Sequence, residues 1–296
     1  MPKVIGVGEL LWDLLPEGKK LGGAPANFSY HAHALGADSH ILSAVGSDEL
    51  GSRAIAQLQS LGLNVDLIQI HQSLPTGTVS VALDRQGSPS FVIHEGVAWD
   101  EVALTPASRL AVSGADIVCF GSLAQRCQVS RNTIAQLLDA TSRETLRIFD
   151  VNLRQEFYTP TVLKNSLCAC NVLKLNDQEL PILAGLIGIT GTEESQMQQL
   201  VEEYELALGV LTLGSRGSLV VTPEKVSRKP AKQIEIADTV GAGDAFTAAL
   251  AISFWARKPL ESCHELASEL AAYVCTQVGA MPGIPEKLTN LMLPQR

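Results

Sequence analysis

The 296-residue sequence predicts an α/β fold: a mostly parallel β-sheet with helices on both faces and a small β lid. From residue 115 onward, short apolar segments alternate with helical stretches, which is typical of a parallel sheet covered on both faces. Residues 3–8 add an early buried strand. Residues 76–94 alternate between apolar and polar side chains instead, which predicts a half-exposed hairpin.

Length and composition favour a single domain over residues 1–296. Hydrophobic residues make up 46% of the chain, enough for a substantial core, and no repeat or linker divides it. A formal net charge of −9 disfavours binding to nucleic acids or anionic membranes. The N-terminal residues lack the pattern of a signal peptide, and six cysteines in so long a chain are typical of reduced thiols. We therefore expect a cytoplasmic protein.

The first helix is predicted between Pro25, which fits its first turn, and Gly36, which fits the position just after its end. Gly22 and Gly23 precede this helix, and glycines let a ligand approach the backbone closely. Asn27 lies one turn into the helix and offers both a donor and an acceptor. We interpret these residues as a ligand-binding segment. The alternative is a closely packed helix with a solvated asparagine.

The elements that follow lead into the lid. Residues 41–45 predict a strand, and residues 50–61 predict a helix that ends at Gly62. The hairpin has a turn containing Gly87, and its apolar positions are Val79, Val81, Leu83, Phe91 and Ile93. We predict a β lid formed by residues 10–22 and 76–98. An ordinary antiparallel edge is the alternative.

The second half of the chain supplies the rest of the sheet. Strands are predicted at 117–120, 147–151, 172–175 and 210–213, with 218–221 as the return of a hairpin. Helices are predicted near 130–140, 160–169, 177–186, 193–208, 245–256 and 267–279. Residues 285–296 form a tail that either packs on the body or frays.

Polar side chains follow three of these predicted strands. Asn152 and Arg154 follow the strand at 147–151, and Asn176 and Glu179 follow the strand at 172–175. Residues 212–217 close the next strand with two glycines among polar residues. Because ligands of open parallel sheets bind beyond the carboxyl ends of the strands, these residues together predict a cleft.

The segment from Asp238 to Phe246 predicts an anion site at the start of a helix. Gly241, Ala242 and Gly243 place nothing larger than a methyl group between their amides and a ligand. A helix N-terminus offers free N–H donors and a partial positive charge. Asp244 follows directly and would take a proton from a hydroxyl group there, so the pair of features indicates phosphoryl transfer to an alcohol.

Other readings of this segment are weaker. A tight strand-to-helix turn with an aspartate cap is the structural alternative. A Walker loop is absent from the sequence, and both candidate dinucleotide fingerprints lack their third glycine, with Leu11 or Phe246 in its place. The missing glycines disfavour a nicotinamide oxidoreductase.

The chain resembles the ribokinase-like sugar kinases of the phosphofructokinase-B type over nearly its whole length. Residues 22–36 resemble that family's first signature, and residues 238–244 resemble its second, which is highly specific. Residues 176–179 resemble its magnesium-associated motif, and residues 212–217 resemble its nucleotide motif. The resemblance implies transfer of the ATP γ-phosphate to a sugar or nucleoside hydroxyl group, with Mg²⁺ as cofactor.

The resemblance also implies roles for individual residues. Asp244 would be the base, Gly241, Ala242 and Gly243 the anion hole, and Arg154 a neighbour of the transferring phosphate or the sugar. The sugar-binding positions correspond to Asp13, Gly22, Gly23 and Asn27. The nucleotide positions correspond to Lys174, Asn176, Thr212, Gly214, Ser215 and Gly217, and the magnesium positions to Asn176 and Glu179. The positions that would bind a monovalent cation such as K⁺ correspond to Asp238, Val240, Val274, Gln277 and Gly279.

Residues 8–16 and 150–154 look most like bacterial and plant fructokinases, so we expect D-fructose as substrate and fructose 6-phosphate as product. Kinases for another sugar, for 2-keto-3-deoxygluconate or for a nucleoside are the alternatives within the family. A catalytically silent sugar- or nucleotide-binding protein on this fold is the alternative of another class. Because the lid of this family commonly pairs with its copy in a second subunit, a homodimer through the lid is expected.

Overall fold

A nine-stranded sheet forms the body of the protein in the computed structural model, which describes residues 1–16, 18–83 and 89–292. The strands are β1 (Lys3–Val7), β2 (Leu11–Leu15), β3 (Gly18–Gly22), β4 (Asp38–Gly46), β5 (Ile68–His71), β6 (Gly77–Leu83), β7 (Pro89–Ile93), β8 (Ile117–Phe120), β9 (Leu146–Asp150), β10 (Val172–Asn176), β11 (Leu208–Thr212), β12 (Ser218–Val221) and β13 (Val226–Lys229). The helices are α1 (Ala24–Ala34), α2 (Glu49–Ser60), α3 (Pro106–Ser113), α4 (Gln128–Asp139), α5 (Pro160–Ala169), α6 (Glu179–Ile187), α7 (Glu193–Glu203), α8 (Ala242–Trp255), α9 (Leu260–Cys275) and α10 (Glu286–Met292).

The strand order in the large sheet is β13-β12-β11-β10-β9-β8-β1-β4-β5. The seven strands from β11 to β5 run parallel, whereas β12 and β13 are antiparallel and finish one edge. Parallel strands that are buried on both faces consist of continuous apolar segments. The positions of the central strands could therefore be predicted from the sequence to within a residue or two.

Two clusters of buried side chains cover the two faces of the sheet. Alternate residues of one strand belong to different clusters: Val4 packs with Phe28 of α1 and with α8 and α9, while Ile5 packs with α3 to α7. The predicted fold class, a mostly parallel sheet with helices on both faces, is therefore confirmed.

A second sheet of four strands, in the order β3-β2-β6-β7, corresponds to the predicted lid. Its β2 and β6 run parallel, and its other pairs are antiparallel. Val79 and Ile93 lie opposite each other and are buried in the core of the body, whereas Phe91 is 55% exposed. The sheet is thus anchored at one end and open at the other. The predicted turn at Gly87 lies outside the described residues.

Several predicted boundaries were wrong. The helix expected at 193–208 ends at Glu203, because Glu205 takes a positive φ of 49° and β11 begins at Leu208. The helix expected at 267–279 instead spans 260–275 and begins directly after Pro259. Three short elements, β5, β13 and α3, were not predicted.

Other features agree with expectation. Gly36 takes a φ of 87° directly after the cap of α1, as its predicted position requires. Part of the predicted tail forms α10, which packs on the body through Leu288, and residues 293–296 lie outside the described part. All six cysteines carry free thiols. Among the helices of the described chain, none combines the length and apolar character needed to cross a membrane.

Candidate active site

The strand order of the large sheet reverses at β1, which has β4 on one side and β8 on the other. Ligands of open α/β sheets bind in the crevice outside the carboxyl ends of the strands at such a point. A cavity of about 940 Å³ lies here, between the strand ends, the small sheet and the start of α8. Most of the predicted site residues line it: Asp13, Gly22, Gly23, Asn27, Arg154, Lys174, Asn176, Thr212, Asp238, Val240, Gly241, Gly243, Asp244 and Gly279.

Seven predicted site residues do not line this cavity: Ala242, Glu179, Gly214, Ser215, Gly217, Val274 and Gln277. Gly217 has a structural reason to be glycine, because its φ is 100° and a Cβ there would collide with the carbonyl oxygen of Lys229. Glu179 and Val274 are buried behind the cavity wall. The majority of the predicted set therefore lines one cavity.

The start of α8 forms part of the cavity wall. Gly241 takes a φ of 79°, and a Cβ there would lie 2.6 Å from the carbonyl oxygen of Ala280, so only glycine fits. The Ala242 amide donates to the carbonyl oxygen of Thr239 at 3.3 Å, which is a long bond. The backbone is thus shaped so that a ligand approaches the first turn of the helix directly.

Asp244 lies in this first turn and faces α1. The side-chain nitrogen of Asn27 donates to its Oδ2 at 2.8 Å, which fixes the carboxyl group in place. Burial and the negative charge of Asp150 raise the pKa of Asp244 to about 7, against the opposing effects of Lys174, Asn27 and Arg154. A carboxyl group with a pKa near neutrality is suited to accept a proton during a reaction.

A buried ion pair lies beneath the start of α8. The Nζ atom of Lys174, in β10, is 2.9 Å from Oδ1 of Asp150, at the end of β9. Burial alone would lower the pKa of Lys174, but the negative charges of Asp150, Glu179 and Asp244 outweigh that effect and raise it. Lys174 is therefore a positive charge at the cavity wall.

Asn176 and Glu179 form a compact turn between β10 and α6. The Oδ1 atom of Asn176 accepts from the amides of Gln178 and Glu179, each at 2.9 Å. The two carboxylate oxygens of Glu179 accept from the amides of Asn176 and Leu153, also at 2.9 Å. Among the described residues there is no group of three or more histidine, cysteine or acidic side chains able to hold a metal ion. Because these oxygens already accept amide hydrogens and only Asn176 lines the cavity, a Mg²⁺ ion here would be held mainly through water and ligand phosphates, its usual manner of binding.

The opposite end of the cavity is rich in carboxyl groups. Asp13 projects from β2, opposite Lys20 of β3, and burial raises its pKa although Arg154 and Lys20 oppose the shift. Gly22 leaves room for it, because a Cβ there would lie 2.9 Å from Asp13 Oδ2. Arg154 is exposed, and its charge also lowers the pKa values of Glu9 and Asp244, so it lies among the three acids.

Asp238 joins the two loops that carry the predicted cation-binding residues. Its Oδ1 accepts from the amide of Val240 at 3.1 Å, and its Oδ2 accepts from the amide of Gly279 at 3.0 Å. Burial alone would raise the pKa of Asp238, but these amide bonds lower it. The amide of Gln277 donates to the carbonyl oxygen of Val274, so that these two residues end α9 near the same corner.

Comparison with known proteins agrees with this geometry. The family model described as pfkB family carbohydrate kinase matches residues 17–287. The chain belongs to this family. The resemblance to ribokinase-like sugar kinases is thereby confirmed, and the protein is a carbohydrate kinase.

Individual relatives span nearly the whole kinase. The uncharacterized sugar kinase PH1459 from Pyrococcus horikoshii is 32% identical over 87% of this chain and 84% of its own. Its crystal structure in complex with ATP has a TM-score of 0.84, covering 98% and 100% of the two chains. The fructokinase of Klebsiella pneumoniae is 28% identical over 96% and 97%. A Vibrio cholerae fructokinase structure with fructose, ADP and calcium, 24% identical, has a TM-score of 0.81 over 99% of each chain and shows the shared fold.

Two residues of this kinase's site were not assigned a role from the sequence. Glu9 lines the cavity directly after β1, is 3% exposed and leaves Oε2 without a hydrogen-bond partner. Burial raises the pKa of Glu9 to about 7. Hydrogen bonds from the backbone amides of Glu9 and Ala24 and the positive charge of Arg154 act in the opposite direction. Asp150 is the other. Glu9 follows β1 closely and Asp150 ends β9, so an acid at the end of an apolar strand was the available signal in both cases.

Proposed function

We propose that this kinase transfers the γ-phosphoryl group of ATP to a hydroxyl group of a free sugar, and that the sugar is D-fructose. The hydrogen bond between Asn27 and Asp244, beside the glycine-lined start of α8, is the observation that carries the proposal. It combines a fixed base with a place for an anion, the two requirements of phosphoryl transfer to an alcohol.

In the proposed reaction, the sugar hydroxyl oxygen forms a bond to the γ-phosphorus while its proton passes to the carboxylate of Asp244. The bond between that phosphorus and the β–γ bridging oxygen breaks, and ADP leaves with the electron pair. The amides at Gly241–Gly243 and the ammonium group of Lys174 stabilise the charge on the transferring group. Asp13, Gly23 and Asn27 orient the sugar.

In this proposal, ATP binds next to Thr212 and residues 214–217. Mg²⁺ bound near Asn176 and Glu179 supplies charge neutralisation of the phosphates. A monovalent cation such as K⁺ is proposed at the corner of Asp238 and Gly279. The crystal structure of PH1459 contains bound ATP, which supports the choice of co-substrate. The six free thiols support a cytoplasmic location.

The choice of a neutral sugar rests on the charges around Arg154 in the cavity. Three carboxyl groups, those of Glu9, Asp13 and Asp244, share the exposed cation Arg154. Carboxylates accept hydrogen bonds from sugar hydroxyl groups and repel a second anion, so a polyol is favoured over a sugar acid. The name fructokinase among the relatives supports the ketose.

A panel of acceptors tests the substrate directly. ADP release with ATP and Mg²⁺ would be measured for fructose, glucose, ribose, 2-keto-3-deoxygluconate and a nucleoside. We expect fructose to give the highest kcat/KM. A higher value for the sugar acid or nucleoside would replace fructose, and the absence of acceptor-dependent ADP release would favour a silent binding protein.

We also propose that the small sheet is a lid that closes over the sugar. Its residues Val79, Phe91 and Ile93 line the cavity, and water must be kept from the phosphoryl group to avoid hydrolysis of ATP. Backbone amides in β6 and β7 should therefore exchange hydrogen more slowly once sugar is added, while those in α4, which does not line the cavity, keep their rates. Equal rates in β6 and β7 with and without sugar would count against a lid.

A homodimer through the lids is proposed because the lid leaves apolar surface uncovered, with Phe91 55% and Val92 41% exposed. Light scattering at micromolar concentration should give twice the mass of one chain. Val92→Lys, outside the cavity lining, should reduce that mass to one chain and raise KM for sugar, whereas Leu110→Lys, at an exposed apolar residue of α3, should change neither. A monomeric wild type would remove the dimer and leave the lid proposal standing.

A further inference from the structure

We infer that Asp150 is a positioning residue for phosphoryl transfer: it holds the ammonium group of Lys174 beneath the first turn of α8. The inference rests on the proposed function, since the anion received at this turn is the transferring phosphoryl group. Asp150 itself is separated from the cavity by Lys174 and acts through it.

The geometry of the ion pair supports a fixed orientation. Asp150 and Lys174 have side chains that are 7% and 8% exposed, and their Oδ1 and Nζ atoms are 2.9 Å apart. The second carboxylate oxygen, Oδ2, accepts from the hydroxyl group of Thr247 at 3.3 Å. The hydroxyl group has a single proton, which it shares between Asp150 and the carbonyl oxygen of Gly243, 2.9 Å away. Asp150 is therefore linked both to Lys174 and to the backbone of α8.

Lys174 reaches the backbone of α8 because residue 243 is glycine. A Cβ at Gly243 would lie 3.2 Å from Nζ of Lys174, closer than most carbon contacts allow. The ammonium group thus lies against the turn whose amides face the cavity. Its full positive charge adds to the partial charge of the helix N-terminus, at the place where negative charge develops during transfer.

A lysine needs such a partner to serve in this position. Its four-carbon side chain rotates freely, so an ammonium group without a nearby anion has no fixed position. Asp150 fixes it with one short bond. Removing it would leave Lys174 free to turn toward Glu179, whose negative charge also acts on it.

Asp150 also acts on Asp244 through its charge. The charged groups that face Asp244 are Asp150 at the end of β9, Lys174 in β10 and Arg154 in the following loop, and Asn27 donates to it from α1. Of these, Asp150 raises the pKa of Asp244, while the other three lower it. Replacing Asp150 by a neutral residue should therefore lower the pKa of the proposed base.

The test compares Asp150→Asn, Lys174→Met and the double variant with ATP, Mg²⁺ and saturating sugar. Asp150→Asn should lower kcat at pH 8 by about 10–100-fold, as removal of orienting groups does elsewhere, with KM for sugar nearly unchanged. The acid limb of its pH profile should move to lower pH. The double variant should be no slower than Lys174→Met, because Asp150 acts through the lysine.

Asp100→Asn is the matched control. Asp100 forms a buried ion pair with Arg126 at 2.7 Å, with side chains 3% and 4% exposed, outside the cavity lining. This variant should lower stability and leave the acid limb in place. If Asp150→Asn does not fold, Thr247→Val removes one bond to Asp150 and keeps its charge. It should lower kcat several-fold without moving the acid limb to lower pH.

The possible outcomes distinguish a failure of the inference about Asp150 from a failure of the proposed function. Additive losses in the double variant, or an acid limb of Asp150→Asn that stays in place or moves upward, would overturn the role of Asp150 alone. An unchanged kcat in Thr247→Val would also count against it. A wild type that phosphorylates no sugar would overturn the proposed function and, with it, this inference.

Discussion

Asp244→Asn should lower kcat by about 10²–10⁴-fold, the usual contribution of a general base, while sugar and ATP still bind. Asparagine keeps the shape of the side chain and its contact with Asn27, but it accepts no proton from the sugar hydroxyl. The measurement is kcat at pH 8 together with the affinities for sugar and ATP. A kcat close to that of the wild type would remove Asp244 from the role of base.

The same substitution should stabilise the folded protein at alkaline pH. The folded-state pKa of Asp244 is about 7, above the ordinary value of 3.8, so ionisation costs more in the folded state than in the unfolded one. Its contribution therefore destabilises the wild type progressively as pH rises from about 4 to 7. At pH 8 we expect Asp244→Asn to raise the free energy of unfolding by about 1–3 kcal/mol.

This stability gain has its own control. The gain should be clearly smaller at pH 5 than at pH 8, because Asp244 is then ionised only in the unfolded chain. Asp66→Asn, at an exposed acid away from the cavity, should show no gain at either pH. Thermal unfolding at pH 5 and pH 8 measures both. A loss of stability in Asp244→Asn at pH 8 would mean that the carboxylate is compensated in the folded protein, contrary to its raised pKa.

Asp13→Ala should weaken sugar binding by about 1.5–3 kcal/mol, because hydrogen bonds to a charged acceptor contribute that much. Converted, this is roughly a 10–150-fold rise in the dissociation constant for the sugar. ATP affinity should hardly change, since Asp13 lies in the small sheet, at the end of the cavity opposite the predicted nucleotide residues.

Calorimetric titration with sugar and with an ATP analogue would measure both affinities in the same protein. Asp38→Ala, at an exposed acid at the start of β4, should leave both unchanged. Equal weakening of both ligands by Asp13→Ala would indicate that Asp13 supports the fold instead of the sugar.

The sequence predicted the centre of the sheet well and its periphery poorly, for a physical reason. The segment at 117–120 was placed without error because a strand buried on both faces is a continuous apolar segment with turn residues at its ends. β5 and β13 have four residues each, and polar side chains interrupt them, so their pattern does not differ from that of a loop. Their strand conformation comes from pairing with a neighbour.

The site residues also divide into those that the sequence could predict and those that it could not. Gly241 and Gly243 could be found because a close backbone approach restricts the residue type locally. The interaction between Asp150 and Lys174 could not, because it arises only when β9, β10 and α8 are packed together. Nothing in the neighbouring residues of Glu9 shows that its carboxyl group would be buried against the cavity with one oxygen unpartnered.

The hydrogen bond from Asn27 to Asp244 joins residues that are 217 positions apart in the chain. During translation, Asp244 is therefore synthesised long after its partner Asn27. Until α8 has emerged, the face of α1 that carries Phe28 and Leu35 also lacks the helix on which it packs. If Asp244 is the base, as proposed, a nascent chain that already contains every parallel strand should have no kinase activity until α8 has been made.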